Sequence, residues 1–238
     1  DLHQHPELSN REVRTAGVVA EHLRALGLVV QTGIAHTGVV GLLDSGKPGP
    51  VIALRADMDA LPVAEQVDLP FASKARTTFN GQDVGVMHAC GHDCHVAILM
   101  GVAQMLAGLK SQLQGRIKFI FQPAEEGPPA GEEGGAALMI RQGVLDNPKP
   151  DVIFGLHVFA GIESGSIAYR PGPAMASSDR IRVTVNGRQT HGALPWRGVD
   201  PIVIPSQFVP GHQTIVSRQS VVVLEPAVVR LRAYEGGE

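Results

Sequence analysis

Met87-His88-Ala89-Cys90-Gly91-His92-Asp93-Cys94-His95 places two thiols, two imidazoles and a carboxylate within the six residues Cys90–His95. A helical pattern runs from about Val96 to Leu113 directly after it. Two more chemically loaded stretches follow, Gln122-Pro123-Ala124-Glu125-Glu126-Gly127 and Gly155-Leu156-His157-Val158. Each closes a short apolar run, Arg116–Phe121 and Val152–Leu156. Short apolar runs bounded by Gly, Pro and Asp read as buried strands, and Val39–Leu43 and Val51–Ala56 belong with them. Strands that alternate with helices and end in polar clusters predict an α/β sheet with functional groups along one edge.

Working outward, Ser9-Asn10-Arg11-Glu12 has the spacing of a capping box. It opens a predicted helix with Val13, Ala16, Val19, Ala20, Leu23 and Leu26 on one face, and Gly27 stops it. Ala136–Gln142 reads as a short helix ended by Gly143. The texture changes after Ala176: Arg180–Val185 alternates as a half-wet strand, Pro201–Gln219 reads as a helix burdened by Pro205 and Pro210, and Val221–Val223 and Ala227–Leu231 read as strands. The expected organisation is a catalytic α/β domain over 1–176, with a central mostly parallel sheet flanked by helices, and part of a smaller α+β unit over 177–238.

The chain has 238 residues, 44% hydrophobic but only 4% aromatic, so its core is aliphatic. A formal charge of −3 gives no basic surface for nucleic acid. No apolar run approaches the roughly 20 residues of a membrane span. With two cysteines, Cys90 and Cys94, a reducing, cytoplasmic setting is the better reading than a disulfide scaffold.

Thiolate, imidazole and carboxylate are the donor types of transition-metal sites. Cys90 and His92 lie on a turn before a helix, whose positive end lowers a thiol's pKa. Adjacent residues at a strand end point apart, so of Glu125 and Glu126 one can bind metal while the other faces a substrate. His157 adds a neutral donor. Any one of these features alone is more often a satisfied polar residue; their joint occurrence after strands points to a metal-dependent amide hydrolase. Asp57 and Asp59 follow the Val51–Ala56 run and could accept the free N–H of a metal-bound histidine. Cys94 and His95 read as packing or supporting residues. His3, His5, His22, His36 and His212 read as surface or structural, and His191 lies in a Gly-containing turn from which it could polarise a carbonyl.

Taken together, Leu2–Ser9, Ala53–Pro62, Met87–His95, Phe121–Gly127, Gly155–Val158 and Gly198–Pro201 resemble the M20 family of metallopeptidases, most of all its amidohydrolase branch. The resemblance implies a catalytic domain with two divalent ions, Zn²⁺ or Mn²⁺, and an inserted lid that forms a homodimer. It implies Cys90 as a bridging ligand, His92, Glu126 and His157 as further ligands, Glu125 as general base, and His191 as the lid histidine that serves the partner subunit. The implied substrate is a small N-acyl amino acid, cut to a carboxylic acid and an amino acid. Rival expectations are a dipeptidase or carboxypeptidase with the same machinery, or an inactive metal-binding or dimerisation module. Two four-coordinate ions need about eight donor positions. Bridging Cys90, three further side chains and a bridging water leave one unfilled, matching a histidine that the family carries beyond the lid. The chain ends within the lid, so as written it is expected to be nearly inactive. The lid also departs from the family at Arg188-Gln189-Thr190, in place of a Gly-rich run, and at Trp196, where histidine is common.

Overall fold

The computed structural model describes residues 1–172, 181–219, 228, 229 and 231. Two compact units divide the chain, Asp1–Gly161 and Ile162–Glu238.

The first unit is a five-stranded sheet. Its strands are β1 (Val29–Ile34), β2 (Gly38–Asp44), β3 (Val51–Asp57), β6 (Arg116–Gln122) and β7 (Val152–Gly155), in the order β1-β2-β6-β3-β7. Strands β6, β3 and β7 run parallel, and β2 and β1 extend the sheet as an antiparallel ladder. Parallel strands need a crossover between them. Here α2 (His92–Gly108) lies in the connection from β3 to β6, and α3 (Gly135–Arg141) in that from β6 to β7.

Alternation along the strands decides which face meets which helix. Ile117, Phe119 and Phe121 of β6 join Val39 and Leu43 of β2 against Val19, Ala20 and Leu23 of α1 (Val13–Ala25) and Val96, Leu99 and Ala103 of α2. Ile120, Val40 and Ala53 face the other way, toward Leu138 and Met139 of α3. Gly41 permits the close approach of α1: a Cβ there would lie 2.9 Å from Leu23 Cδ1.

Several expectations change. α1 has no side-chain cap from Ser9, and Asn10 is left-handed with φ 62°. Glu7 satisfies the helix start instead, accepting from the N–H groups of Arg14 and Thr15 at 2.9 and 2.8 Å. Ser9 and Glu12 are drawn into tertiary bonds, Ser9 Oγ to Asp59 and Glu12 to Thr37 and Ala124. Helix α2 begins four residues earlier than its apolar pattern, because left-handed Gly91 caps it directly before His92. Strand β7 is exposed rather than buried, being the outer strand of the sheet. A hairpin, β4 (Arg76–Phe79) and β5 (Gln82–Gly85), turns at Asn80-Gly81, both with positive φ. Asn-Gly is a strong hairpin signal that the apolar pattern alone overlooks.

In the second unit, residues 181–185 form no strand among the described residues, and its β pairing there is a single bridge, Arg188 to Val199. Arg180, Val221–Val223, Ala227 and Arg230 lie outside the described residues. Helix α4 (Val203–Gln219) forms despite its prolines. Pro205 falls in the first turn, where a backbone N–H has no helical acceptor to lose, so only Pro210 interrupts the interior.

The N-terminal segment is pinned by His3, whose Nδ1–H donates to Asp93 at 2.8 Å and Nε2–H to Glu65 at 3.0 Å. Burial alone would lower the pKa of His3, but bonds to Glu65 and Asp93 outweigh it and raise it. The imidazolium therefore contributes stability that is complete below the unfolded value of about 6.5 and is lost as pH rises through the higher folded value. Thermal melts of wild type and His3→Gln should differ most near pH 6 and converge toward higher pH. A gap that widens from pH 6 to 9 would contradict this ion pair.

Candidate metal centre

Parallel β6, β3 and β7 end at the same edge of the sheet, the edge at which α2 begins, and the polar side chains gather there. Asp57 closes β3, with Asp59 two residues on. Pro123–Glu126 follow β6, and His157 follows β7. Cys90 and His92 flank Gly91 at the start of α2.

His92 is wholly buried. Its Nδ1–H donates to the Asp59 backbone carbonyl at 2.8 Å, with Asp59 Oδ1 at 3.3 Å. That fixes the tautomer and leaves the Nε2 lone pair free. Nε2 is buried without a hydrogen-bond partner, and faces Asp57 at 3.7 Å, Glu125 at 3.8 Å and Glu126 at 3.9 Å. Cys90 Sγ lies 3.3 Å from His157 Nε2. Donor atoms of Cys90, His92 and His157 fall within 4.8 Å of one another, as do those of His92, Glu125 and Glu126. The structure thus brings together Cys90, His92, Glu125, Glu126 and His157. His191 stands apart in sequence on the second unit, in an exposed turn where its Nδ1 accepts from Ala193 N–H at 3.1 Å.

Charge is concentrated here. Burial first, then Glu126, Glu125 and Asp57, push the Cys90 thiol up to about 12. The helix end does not lower it as the sequence suggested, because the carboxylates are nearer and stronger than a partial charge. Burial and then Asp57 also raise Glu125. Burial alone would lower His92, yet the bond with Asp59 and the charge of Asp57 raise it. A thiol, a crowd of carboxylates and an imidazole lone pair with nothing to bind are a donor set that a divalent cation satisfies.

Three residues support the site, of which Asp59 and His95 read from sequence as supporting residues and Glu12 does not. His95 is buried and bonded to Asp57, Glu12 is buried and accepts from Ala124 N–H at 2.8 Å, and Asp59 accepts from Glu126 N–H at 3.0 Å. Ala124 is left-handed, φ 48°, so Glu12 and Asp59 hold the backbone turn that presents the Glu pair. The spacing Ser9-x-x-Glu12 did draw attention to Glu12, but as a helix cap.

An α/β sheet with such a donor set at its carboxyl edge defines a metal-site protein class, and comparison with known proteins identifies which. Residues 53–235 match the model of Peptidase family M20/M25/M40, and the chain belongs to that family. Thermostable carboxypeptidase 1 of Saccharolobus solfataricus is 43% identical over 237 residues, 99% of this chain and 57% of that protein. N-acyl-L-amino acid amidohydrolase of Geobacillus stearothermophilus is 42% identical over 236 residues, 99% of this chain and 60% of that protein. The crystal structure of Bacillus subtilis YxeP, a dinuclear metal binding peptidase from the M20 family, matches with a TM-score of 0.63 at 41% identity, covering 73% of this chain and 44% of that one. The chain therefore spans little more than half the length of the curated relatives it matches.

Gly91 is required by this geometry. Its φ is 81°, and a Cβ would lie 2.3 Å from Val158 Cγ2. Gly91→Ala should destabilise the metal-free protein by about 1–3 kcal/mol, the usual cost of such backbone strain. Urea denaturation measures it; an unchanged midpoint would show that the turn relaxes freely.

Proposed function

We propose that the chain is the metal-binding part of an amidohydrolase that cleaves N-acyl amino acids. The observation that carries this reading is the buried, partnerless Nε2 of His92, ringed by Cys90, His157, Glu125, Glu126 and Asp57. Cys90, His92, Glu126 and His157 would hold two divalent ions, Zn²⁺ or Mn²⁺. When bound they supply Lewis-acid polarisation of the scissile carbonyl and acidify a water.

The remaining steps belong to the chain. After burial, Glu126 is the strongest influence that raises the Cys90 thiol, which suits a shared role as ligands. Glu125 is more exposed than its neighbour, and its raised pKa suits a group that must take a proton and give it back. It accepts the proton of the attacking water and delivers it to the leaving nitrogen. Asp59 keeps the two roles separate by fixing the backbone on which both carboxylates sit. Residues 177–238 are assigned to a lid that dimerises, with His191 polarising the substrate carbonyl in the partner's site. No helix among the described residues is long and apolar enough to cross a membrane. Both cysteines are free thiols, which suits a cytoplasmic enzyme.

A carboxypeptidase among the relatives supports a second reading, in which the acyl group is a peptide. Turnover of N-acetyl and N-benzoyl amino acids against unblocked and blocked peptides, after chelation and metal return, separates the two. Metal-dependent release of amino acid from the simple N-acyl substrates is expected; cleavage of peptides alone would overturn the amidohydrolase reading. In active, metal-loaded enzyme, Glu125→Gln should retain metal and lose roughly 10²–10⁴-fold in kcat. Loss of metal in Glu125→Gln but not in Glu126→Gln would exchange the two roles.

A further inference from the structure

His157 follows an exposed outer strand, and Leu156, Val158 and Phe159 beside it are exposed as well. Apolar burial therefore does little to place it. Hydrogen bonds do so through its neighbour. The Val158 carbonyl accepts from His157 Nδ1–H at 2.6 Å, and Val158 N–H donates to His95 Nε2 at 2.9 Å. His95 Nδ1–H in turn donates to Asp57 Oδ1 at 2.6 Å, and Arg55 holds the other oxygen of Asp57 at 2.7 Å. His95 and Asp57 are both 1% exposed, so this chain of bonds starts from the rigid end of β3. The imidazoles of His95 and His157 meet edge to face, centroids 4.6 Å apart.

Both tautomers follow. His95 accepts at Nε2, so its proton sits on Nδ1. His157 donates from Nδ1, so its Nε2 carries the lone pair, and it faces Cys90 Sγ at 3.3 Å. Donor atoms of Asp57, His92 and His95 also lie close enough to suggest a metal triad. His95 cannot join one: its Nε2 lone pair is engaged by Val158 N–H and its Nδ1 by Asp57.

We propose that His95 is a positioning residue for His157, acting through Val158, so that the hydrogen-bonded series Asp57–His95–Val158 presents the His157 Nε2 lone pair to the metal. This rests on the reading of His157 as a ligand. Sequence spacing supports the economy of the arrangement: His92 and His95, one turn apart on α2, serve the same centre in different ways, one through its lone pair and one through the backbone of a distant loop.

The test is Co²⁺ binding by the 238-residue chain, which needs no turnover. His95→Asn places an amide donor near Asp57 but gives Val158 N–H no acceptor; Co²⁺ affinity should fall about 10–100-fold, as when a ligand's supporting partner is removed. His95→Gln carries its amide oxygen to the Nε2 position, keeps the bond to Val158 and should recover most of the affinity. The double variant His95→Asn/His157→Ala should bind no more weakly than His157→Ala alone, because both changes remove the same interaction. Melting curves of the metal-free variants establish that they are folded. Wild-type affinity in His95→Asn, equal weakness in a folded His95→Gln, or losses that multiply in the double variant would each overturn the proposal. If His157→Ala binds Co²⁺ like wild type while His92→Ala does not, the ligand assignment of His157 is at fault, and the proposal falls with it.

Discussion

A carboxylate sealed from water must find its hydrogen-bond donors within the protein, and Asp59 sets the terms for everything around it. It is 1% exposed; its Oδ2 collects Ser9 Oγ from the N-terminal segment and Glu126 N–H from the turn after β6, while its backbone carbonyl takes the His92 Nδ1–H from the start of α2. Three segments far apart in sequence are thus tied to the residue just past β3. Removing that oxygen pair would leave buried donors without partners, each at a cost of about 1–3 kcal/mol. The same bonds that close the fold aim the side chains of the site.

Next to that structural carboxylate lies a crowd of acids around a partnerless imidazole nitrogen. Asp57, Glu125 and Glu126 crowd the Nε2 of His92, and a thiol beside them is held protonated by burial and then by their charge. Asp57 escapes the repulsion that helps to raise Glu125: burial would raise it, but His95, Arg55 and His92 hold it down at about 2. The fold therefore carries its acids in two ways, some bonded into the scaffold and some left for a cation. Strain accompanies the second kind, in left-handed Ala124 before the Glu pair. Such cost persists at a site because the surrounding structure over-determines it.

Much of this was legible from residue order. Short apolar runs bounded by Gly, Pro and Asp located β2, β3, β6 and β7, and the donors sat at strand ends because parallel strands deliver their carboxyl termini to one edge. Weaker local signals misled. Ser9-x-x-Glu12 has the pattern of a cap, but both side chains bond more strongly elsewhere in the fold, and Glu7 takes their place. Pro205 looked costly until its position in the first turn of α4 was known.

Local chemistry in the chain determined which residues could bind a cation, since donor type and position after a strand are properties of order alone. Only the tertiary structure decided how they are used. Whether Cys90 is helped or hindered in losing its proton depends on carboxylates 35 and 36 residues away. Whether His95 is a ligand or a support depends on which donor reaches its Nε2, and that donor comes from residue 158. Hydrogen-bond direction and electrostatic neighbourhood are set by distances in space, and sequence spacing reports such distances only within a single helix or strand.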